Sequence, residues 1–171
     1  EEARSYLRNT DKLNTVKQLL DHYQAERAPQ IEKFQKGILD GLTAKASSYN
    51  SVKVSWNAYE NADSYHVYRK TANGKWKKLA AVSTLHYTDK TAQPKTVYYY
   101  TVKAGSSKWG EAVYSSYETE GVKAVTALGK AVLKKAKPAA GGRSAKLTWS
   151  KTAGASGYVI SRASSAGGRY K

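Results

Sequence analysis

Hydrophobic and polar positions change their period once along this chain. In the first 41 residues, Leu13, Val16, Leu20 and Tyr23 follow a 3, 4, 3 spacing with Leu19 alongside, and Ile31, Phe34 and Ile38 resume the pattern after a gap of eight. That is the stripe of an amphipathic helix. Pro29 suits the first turn of a second helix and biases Ala28 away from helical geometry, so a break or kink is predicted there, giving one or two helices. Asp40-Gly41 supplies a left-handed stop. Two short helices cannot bury such a stripe alone; they need an upstream domain, the sheet that follows, or a second copy, by self-association through the helical segment.

From residue 42 the period becomes two. The segments SVKVSW (51–56), SYHVYRK (64–70), WKKLAAV (76–82), TLHYTD (84–89), VYYYTVKA (97–104) and GVKAVTAL (121–128) alternate or cluster β-branched and aromatic residues between turn signals. Short strands at this spacing predict an antiparallel sandwich or barrel. Asn73-Gly74 favours positive φ at both positions and predicts a tight type I′ hairpin, while Pro94 marks a loop before VYYYTV.

The chain also repeats itself. SVKVSWNAYENADSYHVYRK (51–70) aligns without a gap to SAKLTWSKTAGASGYVISRA (144–163) at an offset of 93 residues. Ser51/Ser144, Lys53/Lys146, Trp56/Trp149, Ala62/Ala155, Tyr65/Tyr158 and Arg69/Arg162 are identical, and Val54/Leu147, Ser55/Thr148 and Val67/Ile160 are conservative. Side chains alternate faces along a strand, so the retained set, Val54, Trp56, Tyr65 and Val67 with Trp149, Tyr158 and Ile160, is expected to point inward. His66/Val159 and Tyr68/Ser161 should point out.

With V-x-W on one strand, Y-x-V on the next and P-x-T-x-Y-x-Y-x-V-x-A later, residues 42–128 resemble a fibronectin type III domain of the variety found in tandem on bacterial surface and secreted proteins. The resemblance rests on Val54 and Trp56 for strand B, Tyr65 and Val67 for strand C, and Pro94, Thr96, Tyr98, Tyr100, Val102 and Ala104 for the loop and strand F. It implies a mainly β antiparallel sandwich with a corner tyrosine at Tyr98, although Ala92 stands where a leucine is usual. The expected organisation is a helical lead-in (1–41), one complete fibronectin type III-like domain (42–128) and an incomplete second repeat (129–171). In that second repeat, strands are expected at Val132–Lys137, Ala145–Ser150 and Gly157–Arg162. Leu147, Trp149, Tyr158 and Ile160 would lack an opposite sheet unless a continuation of the chain, or another chain, supplies it.

Charge adds a gradient. Residues 1–41 carry net 0, residues 42–128 net +6 and residues 129–171 net +10, within a formal +16 over 171 residues. Such a field concentrates polyanions, and an anionic wall polymer or glycan is the partner expected for a surface module. The basic residues are scattered over strand positions with no nucleic-acid reading motif, and no apolar run is long enough to span a membrane.

Candidate chemistry is sparse. With no Cys, thiol catalysis and Cys-containing metal sites are excluded. His22, His66 and His86 show no ligand spacing, and Glu111, Glu118 and Glu120 fall in or beside one connecting segment. No catalytic residue, cofactor or metal is therefore assigned. The long segment GSSKWGEAVYSSYETEG (105–121) carries the candidate binding loop, Lys108, Trp109, Tyr114 and Tyr117, with Trp109 expected to be exposed. With no catalytic constellation in the residues, the fibronectin type III resemblance implies a non-catalytic segment of an extracellular or cell-surface bacterial protein, a spacer or adhesion module holding neighbouring modules of the same polypeptide. The alternatives are an accessory module of a secreted carbohydrate-active or wall-lytic enzyme and a self-assembling filament subunit.

Overall fold

The structure, a computed structural model, describes residues 2–139 and 141–171, with side chains described from residue 10 onward. Contacts group the chain into two compact units: 1–44, 54–87 and 98–123 in the first, and 45–53, 88–97 and 124–171 in the second.

One helix, α1 (Glu2–Lys36), forms where one or two were predicted, and it runs through Pro29 without ending. A proline removes one donor and disfavours helix at the residue before it, but a helix with good formers on both sides bridges that defect. Gly37 N–H donates to the Lys33 carbonyl at the last turn. Gly41 does take positive φ (69°), four residues later than a helix stop would require, where its backbone passes against the Asn57 side chain. The stripe Leu13, Val16, Leu19, Leu20 and Tyr23 is exposed, whereas Phe34 and Leu39 are buried.

Ten strands follow: β1 (Thr43–Ser48), β2 (Ser51–Ser55), β3 (Ser64–Lys70), β4 (Lys77–Val82), β5 (His86–Asp89), β6 (Val97–Ser106), β7 (Val113–Tyr114), β8 (Val122–Val125), β9 (Leu133–Pro138) and β10 (Ala145–Trp149). They form a three-stranded sheet in the order β1-β2-β5, a sheet in the order β4-β3-β6-β7 with β8 also pairing β6, and the separate pair β9-β10. In the register of β3 on β6, Tyr65 lies opposite Ala104 and Val67 opposite Val102, one residue out of step with His66 opposite Lys103 and Tyr68 opposite Thr101. The first set shares the core face and the second the outer face. Val54, Trp56, Tyr65, Val67, Tyr98, Tyr100 and Val102 are all buried.

The hairpin at Asn73-Gly74 is not a two-residue turn. The connection runs from 71 to 76, Gly74 N–H donates to the Thr71 carbonyl at 3.1 Å, and neither Asn73 nor Gly74 takes positive φ. A register shift between Val67 and Tyr68 absorbs the difference.

The repeat is visible as geometry at the corner after β2. In the first unit Trp56 meets Tyr65 at 5.6 Å, Tyr59 N–H donates to the Tyr65 hydroxyl (3.1 Å), Ala62 N–H donates to the Tyr59 carbonyl (3.1 Å), and Asn61 takes φ 63°. In the second unit, 93 residues on, Trp149 meets Tyr158 at 5.3 Å and Thr152 N–H donates to the Tyr158 hydroxyl (2.7 Å). There Ala155 N–H donates to the Thr152 carbonyl (3.2 Å) and Gly154 takes φ 77°. Asn and Gly are the residues that enter left-handed backbone at least cost, which explains the one exchange at that position.

Beyond this corner the two copies part. β9 and β10 pair antiparallel, but residues 157–162 form no strand. Contrary to the inward placement expected of them, Trp149 is only half-buried and Tyr158 and Ile160 are 40% and 59% exposed. No sheet covers that face among the described residues, so these rings and branches keep the local corner contact and little else.

Candidate functional site

The segment 105–121 sends its aromatic residues to two different places. Trp109, expected at the surface, is 4% exposed. Its ring meets Phe34 edge-on at 5.2 Å, and Phe34 in turn meets Tyr59 edge-on at 5.1 Å. The Tyr59 hydroxyl donates to the Phe34 carbonyl (3.1 Å), and Ser116 N–H donates to the Gln35 carbonyl (2.7 Å). Together these hold the end of α1 in a seat. Gly37 makes it possible, since a Cβ there would fall 1.8 Å from the Tyr59 hydroxyl oxygen. No sequence signal marked Trp109 for burial, because its partner Phe34 lies 75 residues away in the chain. Lys108 stays exposed and donates to the Asn61 side-chain carbonyl at 2.7 Å.

Tyr114 and Tyr117 go instead to the outer face of the five-stranded sheet. Tyr114 lies opposite Gly105 in the β6–β7 ladder, where a Cβ at Gly105 would press on its ring at 3.2 Å, and its ring meets that of His66 at 4.7 Å. Tyr117 carries the Lys103 ammonium over its face at 4.6 Å and meets Trp76 edge-on at 6.4 Å. Trp76 carries the Lys70 ammonium at 4.7 Å, and that group lies 5.9 Å from the Tyr99 ring and 3.5 Å from the Thr119 carbonyl. Lys78 Nζ stands 3.5 Å from His66 Nε2. Burial, then Lys78 and Lys103, hold the His66 imidazole below its ordinary value. Burial, then the phenols of Tyr114 and Tyr117, push the Tyr68 phenol up. The result is a continuous patch of cations and phenols. Sequence reasoning missed its β3 and β4 members because each is unremarkable alone and only strand pairing brings them together.

Among the described residues no group of three His, Asp or Glu side chains is placed to hold a metal ion, and no helix is long and apolar enough to cross a membrane.

No protein-family profile matches the chain. A fibronectin type III-like protein from Clostridium thermocellum is 30% identical, with 52% of this chain and 90% of that one covered and a TM-score of 0.42. The FN5 domain of Drosophila Lar is 21% identical, with 54% and 97% covered and a TM-score of 0.44. A poly(3-hydroxybutyrate) depolymerase of Ralstonia pickettii is 42% identical over 71 residues, which is 42% of this chain and 14% of the depolymerase. The chain thus spans a small part of that enzyme's length. The strand orders β1-β2-β5 and β4-β3-β6-β7, with Trp56 meeting Tyr65, decide the fold. The chain contains a fibronectin type III-like β-sandwich.

In this fibronectin type III-like domain Tyr98, the expected corner tyrosine, is buried with the Arg69 guanidinium 4.5 Å over its ring. The turn before it is fixed by Thr126, which accepts from Thr96 N–H (3.0 Å) and donates to the Gln93 carbonyl (2.5 Å). The fibronectin type III-like fold leaves function to its surfaces. Here those are the helix seat and the outer sheet face.

Proposed function

We propose that the chain is a non-catalytic spacer segment of a bacterial surface or secreted protein, holding the modules on either side of it at a defined separation and orientation. The observation that supports this is the seat of α1: a buried Phe34 clamped by Tyr59 and Trp109 fixes how the preceding segment enters the domain, which a flexible tether would not need. The corner repeated 93 residues on fits a tandem arrangement of such modules. Spin labels at Gln18 on the helix and Asn73 on the domain should give a narrow distance distribution that broadens in Phe34→Ala. A distribution already broad in the unaltered chain would sink the spacer reading.

A second reading has its own support in the depolymerase match: an accessory module that carries a secreted polymer-degrading enzyme on its substrate. Under it the purified chain should co-sediment with poly(3-hydroxybutyrate) granules and release no soluble product. Product release by this chain alone would overturn both non-catalytic readings.

A further inference from the structure

We infer that the outer face of the β4-β3-β6-β7 sheet, built from His66, Tyr68, Lys70, Lys78, Lys103 and Tyr114, is a binding site for an acidic polysaccharide. This goes beyond the spacer role and does not depend on it, since a rigid spacer can bind nothing and a flexible module can carry this face.

Three observations carry it. First, the cations are pre-placed. The Lys70 and Lys103 ammoniums are held over the rings of Trp76 and Tyr117, which reduces the side-chain freedom a ligand would otherwise have to freeze. Second, they are uncompensated. No ion pair among the described residues engages Lys70, Lys78 or Lys103. Burial first, and then the positive field of Lys78 and Lys103, lowers the His66 imidazole. Third, hydroxyls surround them. Tyr68 and Tyr114 lie on the same face as Lys103, and Gly105 leaves the room that lets the Tyr114 ring lie across the sheet.

That combination selects the ligand class. Successive bases of a single-stranded nucleic acid need open ring faces to stack on. Here the faces of Trp76 and Tyr117 are covered by ammoniums, and what is presented outward is cationic nitrogen and phenolic hydroxyl. A chain of sugars alternating carboxylates with hydroxyls matches it, by charge-assisted hydrogen bonds to the lysines and neutral ones to the phenols.

The test uses polygalacturonate as probe, with the whole 171-residue chain. Replacing Lys70, Lys78 and Lys103 together by Gln should weaken binding by roughly tenfold or more, because charge-assisted contacts are lost. Replacing the exposed Lys134, Lys135 and Lys137 by Gln, an equal loss of charge, should leave affinity within about twofold. Polygalacturonate should also raise the His66 titration midpoint, read by NMR. The groups facing His66 are Lys78, Lys103 and Tyr114, and an added anion offsets the two lysines. This readout needs no variant, so it decides the matter even if the triple substitution fails to fold. Equal weakening by both triples, or an unmoved His66, would overturn the site in favour of diffuse charge. An oligothymidylate that binds as tightly with the same His66 shift would overturn the saccharide class.

Discussion

Trp56 and Trp109 are equally buried, yet they owe this to different neighbours. Trp56 sits in the sandwich against Tyr65, and Trp109 closes the helix seat against Phe34. Truncating either ring to Ala removes a large apolar surface and leaves a cavity, so each variant should lose about 3–5 kcal/mol in chemical denaturation. Trp109→Ala and Phe34→Ala should be non-additive, because the two rings touch. At the repeated corner, Tyr65→Phe deletes the acceptor of the half-buried Tyr59 N–H and should cost about 1–2 kcal/mol. Tyr158→Phe deletes the matching acceptor of Thr152 N–H where the ring is exposed, and its effect on the melting temperature should be smaller.

At the scale of elements, Asp63 ties the start of β3 to the end of β6. Its Oδ2 accepts from Ser107 N–H (2.7 Å) and the Ser107 hydroxyl (2.5 Å), and its own N–H donates to the Gly105 carbonyl. The Ser107 hydroxyl, then the Ser107 N–H, hold the Asp63 carboxyl below its ordinary value of 3.8. A carboxyl depressed on folding contributes stability that is whole above the unfolded value and is lost as pH falls through the lower folded one. The melting temperature of the unaltered protein should therefore drop more steeply than that of Asp63→Asn between about pH 4 and pH 2. Parallel curves would mean the Ser107 contacts do not favour the ionised form.

The elements themselves differed in how plainly they could be read. In β2 and the first half of β3 burial alternates with the apolar pattern, whereas β6 also buries consecutive residues such as Tyr100, Thr101 and Val102. β1, with the sequence TAKASS, was missed because it buries only Ala44 and has almost no apolar signal; it exists because β2 offers it a ladder. The helix continues past Pro29, since a local bias there competes with the helix propagating from both sides.

For the whole molecule, stability should be uneven. The strands Ser64–Lys70 and Val97–Ser106 pair on both sides and bury alternate or consecutive residues, whereas β9 pairs only β10 and all six of its residues are exposed. Amide hydrogen exchange should therefore be slowest in β3 and β6 and should run well ahead of them in 133–149, measured by mass spectrometry. Protection of β9 and β10 equal to that of β3 would show that the exposed Leu133 and the open groove around Trp149 are covered in solution. Charge also acts at this scale. The net +10 carried by residues 129–171 raises the local concentration of any polyanion, but the ordered lysines with ring partners lie on β3 and β6.

Alternation with period two was enough to mark the core face of β2 and β3, and the 93-residue offset with its Trp–Tyr pair was enough to mark the repeat, because each is a local pattern, while a sandwich rather than a barrel was implied by the fibronectin type III resemblance. Which way the 105–121 segment turns its rings was decided only by tertiary structure. Trp109 goes inward because α1 delivers Phe34 to it, and Tyr114 and Tyr117 go outward because β3 and β6 bring His66 and Lys103 beneath them. The same holds for Tyr158 and Ile160, whose pattern is that of core residues: a period says which side of a strand is apolar, but burial needs a second surface to lie against it.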